Sequence, residues 1–168
     1  MKKLLFSILV VIGFTANAQF TTKNGGHCFT MSIPDYMVKA YDLNEGASLQ
    51  YQSAVKDAYV VVIEDAKDHL EAVGMKYNNP TEFLNSFTED YMKDAKGRKL
   101  TPVKTSESNG NKFAQTEFTW KDEDGEYFML ITITETKGHF YKTLCWTSLK
   151  NKATLIADFD TMSKSIKD

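Results

Sequence analysis

The chain has 168 residues, 42% hydrophobic and 25% charged, a balance that belongs to a folded globular protein and excludes a disordered one. Its formal charge is −2, and Arg98 is the single arginine among 20 basic residues. A nucleic-acid-binding face, which needs clustered lysine and arginine, is therefore not expected.

Lys2 and Lys3 precede an apolar run from Leu4 to Phe14, interrupted only by Ser7 and Gly13. Ala16 and Ala18 then stand at the two positions where a signal peptidase reads small side chains, so residues 1–18 are expected to be a signal peptide cut before Gln19. The run falls short of the about 20 residues that a spanning helix wants, and no cysteine follows the cut to carry a lipid. The expected location is the periplasm or the cell exterior, with no transmembrane segment after processing. Taking away Lys2 and Lys3 leaves 18 basic against 22 acidic residues in a chain of 150, one domain's worth. A chain of this size buries roughly 68–70% of its unfolded surface and needs neither metal nor disulfide to fold.

Residues 19–27 are polar and glycine-rich and read as a flexible N-terminal arm, with one domain over 28–168. Phe29, Met31 and Ile33 alternate with Thr30 and Ser32, a half-buried strand stopped at Pro34. A second alternating strand covers Ala47 to Gln52, and Tyr59 to Ile63 is apolar on both sides, a central strand. Ala66 to Val73 predicts a short helix. Asn79, Pro80 and Glu82 form a helix start, the stripe Phe83, Leu84, Phe87, Tyr91 and Met92 follows, and Gly97 is the expected stop. Strands are then expected over Lys99–Ser106, Lys112–Trp120, Glu126–Thr136 and His139–Ser148, joined by turns at Ser-Asn-Gly-Asn, Asp122–Gly125 and Lys137-Gly138. The Asp122–Gly125 turn reads as type I′. Leu155, Phe159, Met162 and Ile166 mark one face of a closing helix over Ala153–Lys167. The fold class is α+β, an antiparallel sheet of six to seven strands flanked by helices.

The segments Phe29-x-Met31-x-Ile33-Pro34-x-Tyr36 and Leu49-x-Tyr51, the valine-rich strand, the meander and the closing Phe159-x-x-Met162-x-x-Ser165-Ile166 helix resemble the PsbP-like fold superfamily. Relatives there often carry glycine and tryptophan where Asp35 and Tyr36 stand, and an aromatic where Ile166 stands. The resemblance, which covers most of residues 28–168, implies a PsbP-like sandwich. It also implies a superfamily of photosystem subunits, Ran-binding relatives and DcrB-type envelope proteins used mostly for binding and assembly, with no shared active site to carry over.

The residues offer few catalytic signals: G-x-S-x-G, H-E-x-x-H, a phosphate loop and C-x-x-C are all absent. Glu64, Asp65, Asp68, His69 and Glu71 crowd eight positions, and on a helix Asp65 and His69 would share a face. A solvated helix start explains them without a metal. Asp122 to Glu126 lacks the further acids of a calcium loop and reads as a hairpin tip. His27-Cys28 is the one imidazole–thiol neighbour pair; no catalytic residue, metal ligand or cofactor is assigned. Cys28 and Cys145 make an even pair that an oxidising compartment could join as one disulfide. The function expected is a non-catalytic binding or assembly module of the cell envelope whose partner is unknown. The alternatives are a carrier of a small apolar ligand, using the many aromatics, and a hydrolase whose site is assembled in space around His27, His69 or His139.

Overall fold

In a computed structural model of the chain, residues 18–26 and 28–168 are described. The expected signal peptide, apart from Ala18, and His27 lie outside the described residues. In chain order the elements are strands β1 (Phe20–Gly25), β2 (Phe29–Pro34), β3 (Val38–Lys39), β4 (Leu49–Ser53) and β5 (Ala58–Ala66), then helices α1 (Lys67–Ala72) and α2 (Pro80–Asp90). Strands β6 (Lys96–Leu100), β7 (Lys104–Ser108), β8 (Asn111–Lys121), β9 (Glu126–Glu135) and β10 (His139–Ser148) follow, and α3 (Lys152–Lys164) closes the chain.

The main sheet is antiparallel, in the order β3-β4-β5-β10-β9-β8-β6, with β7 also pairing β8. Period-two alternation sends its side chains to two separate cores. On one face Val60, Val62, Phe128, Leu130 and Tyr141 pack against Met31 and Ile33 of β2 and Leu155, Phe159 and Met162 of α3. On the other face Val61, Ile131, Ile133, Phe140 and Leu144 pack against Phe83 and Leu84 of α2. The architecture is therefore α+β, with helices and a hairpin on the faces of an antiparallel sheet.

Four expectations need correction. Residues 20–25 are not an arm but strand β1, paired along its whole length with β2. The phenyl ring of Phe29 lies so close to Gly25 that a Cβ there would sit 2.0 Å from it, and this close approach fixes the hairpin. Helix α2 stops at Asp90 rather than Gly97, because Tyr91 turns extended and Met92 takes φ 49°. Gly97, with φ 65°, sits inside β6 at a register shift. The run Lys99–Ser106 is split into β6 and β7, which brings the main sheet to eight strands. Finally, the left-handed pair Asn109 and Gly110 makes the type I′ turn. The Asp122–Gly125 loop instead closes through the Asp122 carboxylate, which accepts from the backbone N–H of Asp124 (2.9 Å) and Gly125 (3.1 Å).

Candidate functional site

Strand β10 turns His139, Tyr141, Thr143 and Cys145 toward the α3 side of the sheet by simple alternation. Glu64 of β5 is the register partner of Tyr141, so it falls on the same face, diagonal to His139. The β1–β2 hairpin lies over this end of the sheet. It is anchored by Gly26 N–H on the Ser48 carbonyl (3.2 Å) and by the Phe29 ring 4.8 Å from that of Tyr141. Reciprocal backbone bonds between Thr30 and Lys167 (2.8 and 3.0 Å) then bring Asp168 to the same place.

Four side chains converge as a result. The imidazole of His139 is about a quarter exposed, with Nδ1 3.2 Å from Asp168 Oδ2 and Nε2 3.6 Å from Glu64 Oε1. Cys28 Sγ joins them: the thiol, a ring nitrogen of His139 and a carboxylate oxygen of Glu64 all lie within 4.8 Å of one another. Asp168 Oδ2 also accepts from Thr136 Oγ1 (2.6 Å) and from the Tyr141 hydroxyl (3.3 Å). Burial works against the charge on Asp168, but the bonds from Thr136, His139 and Tyr141 outweigh it and hold the carboxyl below its ordinary pKa. Burial first, then the charges of Asp168 and Glu64, push the Tyr141 hydroxyl up, so it remains a donor. An open hollow of about 400 Å³, bordered by Asn24, Cys28, Thr30 and Asp168, gives solvent access.

The grouping suggested by sequence does not form. Glu64 and Asp65 belong to a strand and face opposite ways, and Asp65 is paired with Lys142 at 2.9 Å on the α2 side. His69 is exposed on α1, which begins only at Lys67, so Asp65 and His69 share no helix face. The expected Cys28–Cys145 bond is absent from the structure. Cys28 stands beside His139, and Cys145 lies six residues farther along β10, roughly 20 Å at about 3.3 Å per residue. Cys145 is fully buried 3.9 Å from Ser163 Oγ, and burial pushes its thiol up to about 12. The aromatics pack on one another: Tyr77 on Phe83 at 4.6 Å, Phe83 on Phe140 at 5.0 Å, and Trp120 between Phe118 (5.3 Å) and Tyr127 (5.1 Å). Asp168 and the role of Glu64 beside His139 were not legible in the sequence, because only strand pairing joins positions so far apart.

Three solved structures have a similar fold. Cyanobacterial PsbP of Synechocystis is 16% identical with a TM-score of 0.61, covering 92% of this chain and 95% of that one. LpqN of Mycobacterium tuberculosis, involved in cell envelope biogenesis, is 12% identical with a TM-score of 0.57, covering 89% and 90%. The Ran-binding protein Mog1p of Saccharomyces cerevisiae is 8% identical with a TM-score of 0.55, covering 90% and 96%. No family model matches the chain, and no curated protein sequence matches it.

Proposed function

We propose, from the PsbP-like fold that this chain has, that it is a non-catalytic binding module of the cell envelope, exported after removal of residues 1–18. The observation that carries the reading is an apolar edge on the main sheet. Strand β3 ends the strand order, with Val38 on it 64% and Tyr41 just beyond it 78% exposed, and Val55 in the turn from the neighbouring β4 to β5 is 98% exposed. Single exposed apolar residues are ordinary, but three on the edge strand, just beyond it and in the neighbouring hairpin turn suit a protein surface that buries them. The PsbP-like structures add weight, since one of them concerns envelope biogenesis and another binds Ran.

The carrier reading is less well supported, because the rings that could have lined a ligand space fill it by stacking on each other. The hydrolase reading draws on Cys28, His139 and Asp168, but a thiol nucleophile needs free N–H groups to receive an oxyanion. The backbone N–H of Gly26 and that of Thr30, on either side of Cys28, already donate to Ser48 and Lys167 carbonyls.

The test is capture of partners by the tagged exported protein from its own envelope fraction, comparing the native chain with a Val38→Ser, Tyr41→Ser, Val55→Ser variant. The expected result is a specific protein lost with the triple variant. Undiminished capture by that variant, or a phenotype abolished by His139→Ala in a folded protein and untouched by the edge changes, would overturn the reading.

A further inference from the structure

We infer that Cys28, Glu64 and His139 form a binding site for a divalent transition-metal ion of the zinc class, independent of the sheet edge proposed above. The three donors are a sulfur, an imidazole nitrogen and a carboxylate oxygen, brought together from the hairpin turn, β5 and β10. Thiolate and imidazole suit zinc and its borderline neighbours and are poor ligands for calcium or magnesium.

The spacing agrees with the chemistry. Tetrahedral bond lengths of about 2.0–2.3 Å place neighbouring ligand atoms roughly 3.4–3.6 Å apart. His139 Nε2 and Glu64 Oε1 are 3.6 Å apart. The thiol lies within 4.8 Å of a ring nitrogen of His139 and of a carboxylate oxygen of Glu64.

The surroundings also match what a metal-bound histidine needs. Asp168 Oδ2 stands 3.2 Å from Nδ1, the kind of carboxylate partner that orients a ligating imidazole, and Nε2 faces Glu64. Asp168 is itself held by Thr136 and Tyr141, so the orienting carboxylate is not loose. A metal ion held by Nε2 and Glu64 takes Cys28 as thiolate, its proton passing to solvent. Cys28 and the orienting Asp168 border the open hollow, and three protein ligands leave the fourth position for water or a ligand from outside.

The experiment is titration of the exported, reduced protein with Co²⁺ and then Zn²⁺. One equivalent of Co²⁺ should give the near-ultraviolet thiolate charge-transfer band and the visible bands of a four-coordinate ion, and Zn²⁺ should displace it. Cys28→Ser should remove the thiolate band, Asp168→Asn should weaken binding by about 10–100-fold, and Cys145→Ser should change neither. In the unaltered protein, where no variant can misfold, Zn²⁺ should slow alkylation of Cys28 by about an order of magnitude, since a coordinated thiolate is a poor nucleophile. The inference is overturned by cobalt spectra without a thiolate band, by a band that survives Cys28→Ser, or by equal alkylation rates with and without Zn²⁺.

Discussion

Two cysteines of one chain have opposite characters, set by position rather than residue type. Cys28 is exposed in a hairpin turn, whereas Cys145 is sealed between the sheet and α3. Burial disfavours the thiolate of Cys145 and raises its pKa from 9.0 to about 12. The folded state therefore holds this proton more tightly than the unfolded chain. The stability it contributes is complete below pH 9 and is lost as pH rises from about 9 to about 12. Tyr36, raised by burial and by its bond to Asp158 (2.6 Å), acts in the same direction. Thermal melts should show a midpoint falling over that alkaline window, with a shallower fall in Cys145→Ala. In the native protein a thiol reagent should modify Cys28 alone, and denaturant should expose Cys145 as a second thiol without reductant. Two thiols that appear only after reduction would restore the disulfide that the sequence suggested.

At the scale of elements, α2 shows what a helix stripe can and cannot announce. Asn79 accepts from the Glu82 N–H at 2.9 Å, and Pro80 opens the helix, as the sequence indicated. Phe83, Leu84 and Phe87 do line one face, but Phe83 and Leu84 are buried and Phe87 is only half-buried. The far end depends on Arg98, whose guanidinium donates to the Thr88 carbonyl and, at 3.3 Å, to that of Tyr91. These contacts satisfy terminal carbonyls that helix ends leave unpaired, and a residue on another strand supplies them. Leu84→Ala should cost about 2–5 kcal/mol, and Phe87→Ala less than the about 3–5 kcal/mol of a fully buried aromatic. Urea unfolding of the two variants checks the order; a larger loss at Phe87 would contradict the packing described.

The described residues are built on one main sheet with a separate core on each face, and the shared strands couple them. Leu84 lies in the α2 core and Leu155 in the α3 core, with the sheet between. Each alanine substitution should lower the same single unfolding midpoint. The double variant should equal the sum within about 0.3–0.5 kcal/mol, as for sites that share no partner. Two resolved transitions, one per core, would show that the faces unfold independently.

Local patterns in the sequence determined the elements that depend on neighbours within a few residues: the alternating strands, the Asn79 helix start, the Asn-Gly hairpin and the α+β class. They also supported the resemblance to the PsbP-like fold that the solved structures share. Only the tertiary structure decided that residues 20–25 pair with β2, that Lys99–Ser106 is two strands, and that Cys145 is buried far from Cys28. It also decided the site, because Glu64 and Asp68 look like neighbours along the chain, while Cys28, Glu64, His139 and Asp168 become neighbours only when four distant segments meet. The physical reason is that periodicity reports which face a residue takes, and strand register, fixed by long-range hydrogen bonds, decides what stands opposite it.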